Sequence, residues 1–427
     1  MEERKPRPAT DSVARVVRDA FDREYYLDSV PDVARAGLDP VAHYLRYGSA
    51  QGISPHPNFD SRYYLHTNPD VGASRIDPFY HYLAYGRREG RRANEAGRPL
   101  DECRKDERRP EVSILIPAYR PDFLDLCIAC ALNQTFSDFE IIISDDSIGD
   151  VVGSIVSKWM DKRIRYRSNP TRQVLGANRD FLLQNARGKY VKFLFDDDMI
   201  FSNSIERLVQ AARNEKAALS FHARYDVDDV GFVQKASIST PFGEDRVVSQ
   251  DYFFQNSIGR AVNFIGEPSN VLIQADALSG IERPFYIDGR RMRFLADVAL
   301  FANIADRDLG IAQVSYMGGA FRHHKSQNSD TESPHYSAGL FEWEYLLRWS
   351  ADMGHLDDVA YIAGMARIIQ EMYVPHAHRY PELHAFMQLA GRGECGKYLS
   401  EPYLEALDRA HAAVDERVEE RFRSADT

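Results

Sequence analysis

Beyond residue 110 the chain alternates short apolar runs with stretches of helical spacing. VSILIPAY (112–119), FEIIISDDS (139–147), IRYRSN (164–169) and YVKFLFDD (190–197) are of strand length and bounded by polar residues. The nearly unbroken apolar character of most of them suits strands covered on both faces. Helix-like segments fall between, near 122–134, 151–160 and 176–187. Strands alternating with helices predict parallel βαβ units and an α/β fold. Farther on, AALSFHARYDVDDVGFVQKAS (217–237) reads as two strands joined by a turn, FLADVALFANIADR (294–307) as a helix, and AQVSYMGGAFRHH (312–324) as a late strand. From residue 336 to the end the pattern is helical, most clearly in AGLFEWEYLLRWSADMG.

The first hundred residues follow a different rule. FDREYYLDSVPDVARAGLDPVAHYLRYGSAQG starts at Phe21, and FDSRYYLHTNPDVGASRIDPFYHYLAYGRREG starts at Phe59. A constant offset relates Tyr25 to Tyr63, Asp39 to Asp77, His43 to His81 and Gly52 to Gly90, the mark of duplicated supersecondary units. Each unit reads as two short helices, with Asp39-Pro40 and Asp77-Pro78 as N-cap and first turn and Gly48 and Gly86 at helix ends. His43 and His81 lack companions at ligand spacing, so packing or hydrogen bonding is the expected role rather than metal binding. The charged, proline-containing stretch 94–110 then reads as a linker. The expected organisation is a repeat region (1–93, units near 21–52 and 59–90), this linker, an α/β domain (111–330) and a helical C-terminal extension (331–427).

Composition narrows the class. With 44% hydrophobic and 27% charged residues the chain can build a core, which excludes global disorder. A net charge of −11 argues against a general nucleic-acid binder. Four cysteines make no disulfide framework, and Cys127 and Cys130 lie in an apolar helix-like run, as buried structural thiols do. No apolar run approaches the ~20 residues needed to span a bilayer, and the N-terminus lacks the apolar core of a secretory signal. The expectation is a soluble, cytoplasmic protein, with peripheral contact at the inner face of a membrane left open.

YVKFLFDDDMIF (190–201) places Asp196, Asp197 and Asp198 at the end of an apolar run. Adjacent like charges repel, and a divalent cation is a direct stabiliser; a solvated Asp-rich turn is the plain alternative. In open α/β sheets ligands bind beyond the carboxyl ends of the strands. Pro117-Ala118-Tyr119, Asp145-Asp146 and the three aspartates all fall at such ends.

Together these blocks resemble the inverting family 2 glycosyltransferases of the GT-A fold, a Rossmann-like mixed sheet flanked by helices. The resemblance is carried by VSILIPAYRPD, LNQTFSDFEIIISDDSIGD, GANRDFLLQNARGKYVKFLFDDDM, GEPSNVLI and FRHHKSQNS, and covers about residues 111–329. The repeats resemble short tandem units found beside bacterial polysaccharide glycosyltransferases. What the family resemblance implies is a nucleotide-diphosphate sugar donor, with Pro117, Ala118 and Tyr119 lining the nucleotide pocket and Asp146 accepting hydrogen bonds from the base. Arg179, Asp196 and Asp197 would contact the nucleotide sugar. Mn2+ or Mg2+ would bridge the diphosphate through Asp198, Asp196 and His324, with His323 the competing histidine and Arg322 and Lys325 helping to neutralise charge.

Inverting transfer also needs a base, and the resemblance implies Asp297 near the start of a helix, with Asp288 as the alternative. Two departures stand out. Ala296 takes the place of the family's usual first acid, and Asp180 stands where many relatives have Asn. The acceptor implied is a hydroxyl on a glycan, a lipid-linked glycan or a protein, in bacterial surface polysaccharide or glycoconjugate synthesis. The repeats and the tail would hold the acceptor, a protein partner or the membrane surface. A non-catalytic carbohydrate-binding or scaffolding protein on the same fold is the alternative. A nucleotidyltransferase would carry a basic, glycine-rich loop after the first strand, and PAYRPD is not one.

Overall fold

The apolar runs assemble into one sheet. In the computed structural model, residues 11–425 are described except 31–32, 34–37, 75, 96, 98–99, 101–108, 148, 170–175, 238–243, 282, 326, 328–329 and 394–395. Most of the stretch read as a linker and part of the late block FRHHKSQNS therefore lie outside the described residues. The chain divides into two compact units, Met1–Arg108 and Arg109–Thr427.

The larger unit opens with β1 (Val112–Ala118), β2 (Phe139–Asp145), β3 (Ile164–Ser168) and β4 (Tyr190–Phe193). These pair in parallel in the order β3-β2-β1-β4. Helices Leu124–Leu132, Val151–Val156 and Ala177–Asn185 connect them. Alternate residues of β1 and β2 face opposite layers, and both layers are apolar. Ile141 and Ile143 join the core under Leu124–Leu132 and Ser204–Asn214, while Ile142 joins the other core. Two buried faces explain why these runs look continuous rather than alternating.

The sheet then changes direction. β5 (Met199–Ile200), β6 (Leu219–Val227), β7 (Val233–Ser237), β8 (Arg246–Val248), β9 (Val271–Gln274) and β12 (Ile311–Arg322) extend it. The main path runs β3-β2-β1-β4-β9-β6-β12-β5. β9 is antiparallel to both β4 and β6, and β6 is parallel to β12. β10 (Tyr286–Ile287) and β11 (Arg290–Arg291) form a separate hairpin. This is the expected mixed sheet flanked by helices. The 217–237 stretch is the expected hairpin, β6 with β7, and Ala296–Asp306 the expected helix.

The C-terminal helices Tyr336–Asp352, Asp358–Ile368, Leu383–Gln388 and Glu401–Ala425 share one core with the sheet. Phe341, Trp349 and Leu407 belong to the same buried cluster as Ile142 and Phe193. Two fully buried charges, Glu344 and Arg348, are paired within it; Arg348 Nη1 also donates to Tyr398 O at 2.6 Å.

In the smaller unit, helices Arg23–Ser29 and Ser61–Thr67 are capped by Asp22 and Asp60. Helices Pro40–His43 and Pro78–His81 are capped by Asp39 and Asp77, and each runs on into a π-helical turn, Tyr44–Gly48 or Tyr82–Gly86. Tyr26 Oη lies 2.9 Å from His43 Nδ1, and Tyr64 Oη lies 3.0 Å from His81 Nδ1. The same tyrosine hydroxyls press on Gly48 and Gly86, where a Cβ would collide with them. Each glycine is thus fixed by a close approach as well as by its place at a helix end.

Candidate active site

The carboxyl ends of β1, β2 and β4 meet as the sheet order requires. Ala118 pairs with Asp145, and the chain leaving β4 stays bonded to β1 through Leu194 N to Leu115 O at 2.9 Å. β4 ends at Phe193, earlier than the apolar run suggests, so the residues after it can turn and send three carboxylates in three directions.

Asp196 points back at the loop after β1. Its Oδ2 accepts from the backbone N–H of Tyr119 at 2.7 Å and of Arg120 at 2.8 Å. Burial, then Asp197, pushes its carboxyl up to about 6. Asp197 faces a histidine and an arginine, with His324 Nε2 2.9 Å and Arg120 Nη1 3.4 Å from its Oδ2. Asp198 is buried and accepts from Ser269 Oγ at 2.6 Å and from Arg322 N at 3.3 Å. Burial, then Asp197, pushes its carboxyl well above the usual range. Beneath it lies Lys192, fully buried in β4, with Nζ donating to Ser269 O at 2.5 Å. Burial pulls this amine down to about 7, against the attraction of Asp198.

The histidine alternatives separate. His324 is nearly buried and packs on Phe123, with ring centroids 5.4 Å apart. His323 is 45% exposed and reaches Asp226 at 3.3 Å instead. Arg322, expected to help neutralise diphosphate charge, is bonded within the protein. Its guanidinium donates to the carbonyl oxygens of Asp197, Asp228 and Asp229 and lies over the Phe123 ring, so its charge ties loops together. Lys325 is exposed.

At the end of β2, Asp145 is held by Tyr166 Oη at 2.7 Å and Ser147 N at 2.8 Å. Asp146 donates its N–H to Ala118 O at 2.9 Å, and its Oδ1 is 3.3 Å from Asn169 Nδ2. Ala118 is buried and Pro117 half-buried, while Tyr119 keeps a ring surface exposed.

Asp297 is the second residue of its helix. Its Oδ2 accepts from Asn263 Nδ2 at 2.9 Å and its Oδ1 from Val298 N at 2.8 Å. Burial pushes its carboxyl up to about 6, with Arg179 pulling the other way. Arg179 lies 4.5 Å over the Phe285 ring and makes no side-chain hydrogen bond among the described residues. Burial lowers its pKa, while Asp297 and Asp180 raise it. Asp180 in turn is pushed up by burial, against Arg179, Arg283 and Arg291. Asp288 sits exposed in the β10–β11 turn with φ 46°.

Residues without a sequence signal support this site. Glu342, in Tyr336–Asp352, accepts the consecutive backbone N–H groups of Arg293 (2.6 Å), Phe294 (3.0 Å) and Leu295 (2.8 Å), just ahead of the Asp297 helix. His411 Nε2 lies 3.1 Å from it. Ser269 was legible only as part of a block, and Lys192 only as a lysine inside an apolar run.

Among the described residues no three His, Cys, Asp or Glu side chains converge as a metal cage. A cation of the Mg2+ or Mn2+ type does not need one, because it commonly binds one or two carboxylates and completes its shell with phosphate oxygens and water. Asp197, whose Oδ2 lies 2.9 Å from His324 Nε2, and the neighbouring Asp198 are the two carboxylates such a half-shell would use. Asp196, with Oδ2 shared by two N–H groups, fits the role of holding the β1 loop.

Residues 113–285 match the family model described as Glycosyl transferase family 2. The chain is 36% identical over 107 residues to the GalNAc(5)-diNAcBac-PP-undecaprenol beta-1,3-glucosyltransferase of Campylobacter jejuni, covering 24% of this chain and 35% of that relative. It is 35% identical over 132 residues to the UDP-Glc:alpha-D-GlcNAc-diphosphoundecaprenol beta-1,3-glucosyltransferase WfaP of Escherichia coli, covering 30% and 51%. The chain thus spans between about a third and a half of these relatives. A crystal structure of S. aureus TarS 1-349 aligns over 74% of this chain and 92% of that one, with TM-score 0.48 and 14% identity. The glycosyltransferase match contains the three aspartates and Ser269; Asp297 and His324 lie beyond its end.

Proposed function

We propose that this protein is a metal-dependent, inverting glycosyltransferase that moves a sugar from a nucleotide-diphosphate donor to a hydroxyl acceptor. A lipid-linked glycan is the acceptor class favoured, because both named glucosyltransferase relatives carry undecaprenol diphosphate in their names. The observation that carries the reading is the meeting of His324 with Asp197 across 127 residues of sequence. That contact brings the late histidine to the strand-end aspartates, beside a family 2 domain.

In this mechanism Asp198, Asp197 and His324 would hold Mn2+ or Mg2+, and the cation would supply charge neutralisation for the leaving diphosphate. Tyr119 offers a face to the base, and Asp146 accepts hydrogen bonds from it. Arg179 presents unused donors toward the donor or acceptor. Asp297 takes the proton of the acceptor hydroxyl as that oxygen bonds to the anomeric carbon. The bond from the anomeric carbon to the phosphate oxygen breaks, and its electron pair leaves with the nucleoside diphosphate. Attack opposite the leaving group inverts the configuration.

No helix among the described residues is long and apolar enough to cross a membrane. A cytoplasmic location, peripheral at the inner membrane face, accords with a lipid-linked acceptor. The N-terminal repeats would serve as a contact for that surface or for a protein partner.

The test is release of nucleoside diphosphate from a panel of nucleotide sugars with Mn2+ or Mg2+. Release from one donor, abolished by EDTA and in Asp198→Asn, is the expected result. If calorimetry finds that no nucleotide sugar binds with metal present, the domain is a non-catalytic scaffold and the proposal is wrong.

A further inference from the structure

The segment from Asn263 to Asn270 joins the two chemical centres of the site. At one end Asn263 Nδ2 donates to Asp297 Oδ2 at 2.9 Å, while its Oδ1 accepts from Gly266 N at 3.0 Å. At the other end Ser269 Oγ donates to Asp198 Oδ2 at 2.6 Å and accepts from Phe195 N at 3.1 Å. Glu267 stands between these anchors. Its Oε1 accepts from Arg224 Nη2 at 2.8 Å, and the two side chains remain 25% and 15% exposed.

The backbone behind this pair has little freedom. Gly266 has φ 94°, and a Cβ there would strike the Arg224 guanidinium and the Asn270 amide. The Glu267 carboxylate is oriented by Arg224 Nη2, 2.8 Å from Oε1, and Asn270 Nδ2, 3.4 Å from Oε2. Burial pushes its carboxyl up to about 7, Arg224 pulls it down, and Asp297 adds to the push. Glu267 in turn adds to the upward push on Asp198. It lies within electrostatic range of both carboxylates.

A sugar that leaves a diphosphate at Asp198 for an acceptor activated by Asp297 must occupy the interval between them. Its hydroxyl groups then need acceptors and donors fixed in direction, and Glu267 with Arg224 supplies both. A hydroxyl of the wrong configuration leaves such groups unpaired, which is how a polar pocket rejects a close analogue. We propose that Glu267, oriented by Arg224, hydrogen-bonds the hydroxyl groups of the transferred sugar and sets which donor sugar is accepted. This assignment rests on the glycosyltransferase reading and adds a specificity-determining residue to it.

The experiment compares bare UDP and dTDP with a panel of UDP- and dTDP-linked hexoses and N-acetylhexosamines. Each is titrated calorimetrically, with Mn2+, into the wild type, Glu267→Gln and Glu267→Asp. Glu267→Asp keeps the charge beside Arg224, and thermal unfolding checks that both variants are folded. The expected result is a loss of about 10-fold to 100-fold in affinity for the preferred sugar nucleotide and a flattened preference across the panel. Affinity for the bare nucleotide should stay within about twofold. Equal losses for bare and sugar-linked nucleotides would make Glu267 a support of the aspartate loop and overturn the assignment. An unchanged sugar preference would overturn it too, and in both cases nucleotide binding by the wild type leaves the glycosyltransferase reading standing. A wild type that binds none of the panel would overturn both.

Discussion

Asp198 and Glu342 are both carboxylates with almost no exposed surface, and burial pushes both toward the neutral form. They end on opposite sides of the usual range. Glu342 is held below it, because His411 and the N–H groups of residues 293–295 outweigh its burial. Asp198 has a serine hydroxyl, one long N–H contact and a like charge next door. The nearby amine of Lys192 is already committed to a carbonyl oxygen. Partners, not burial, separate the two. A saturated buried acid organises the fold, whereas an under-neutralised one is suited to a cation supplied from outside.

The sharpest break in this comparison comes from Asp297→Asn. Removing the base should reduce sugar transfer by about 10³-fold while nucleotide binding persists. Transfer within threefold of the wild type would show that another group takes the proton. Next in size is Glu342→Ala. It leaves three N–H groups and His411 without their acceptor, and should lower stability by about 3–5 kcal/mol in urea unfolding. Glu342→Gln, which keeps one carbonyl oxygen, should lose less. A Glu342→Ala protein as stable as the wild type would remove the structural half of the contrast.

pH should divide the same groups. Asp297 must be ionised to act, so transfer should fall as pH drops through about 6. Stability responds in the opposite sense. A carboxyl raised to about 6 in the fold binds its proton more tightly there than in the unfolded chain, where ionisation occurs near ~4. The stability contributed by Asp297 is therefore present below ~4 and lost as pH rises through about 6. Glu342, held down, contributes stability above ~4 that is lost as pH falls. Urea unfolding from pH 4 to 7 should show a flatter slope in Asp297→Asn; an unchanged slope would argue against the raised carboxyl. The smallest effect belongs to Asp196→Asn, because an amide oxygen still accepts the N–H groups of Tyr119 and Arg120. Diphosphate release should fall about tenfold or less; a loss as deep as that of Asp198→Asn would make Asp196 a ligand after all.

The sheet was legible where local pattern and tertiary environment agree. β1 and β2 are buried on both faces, so their apolar runs mark them within a residue or two. The strand-end aspartates were visible because three like charges in an apolar context have few purely structural uses. Less could be read where a role depends on direction. Nothing local separates Asp196, turned back on β1, from Asp198, turned to Ser269. Nothing local shows that the Arg322 guanidinium bonds three backbone carbonyl oxygens. Glu342 meets its N–H partners across 47 to 49 residues, and Asn263 meets Asp297 across 34. No short-range pattern encodes such meetings, which exist only once the helices and the sheet have packed.

The most direct test of the contrast between Asp198 and Glu342 is Mn2+ titration followed by electron paramagnetic resonance, with UDP or dTDP present, on the wild type and Asp198→Asn. The result expected is one tightly held ion per wild-type chain and a loss of affinity of at least about tenfold in the variant. Undiminished Mn2+ binding in Asp198→Asn would contradict the assignment of the strand-end aspartates as the metal and diphosphate site.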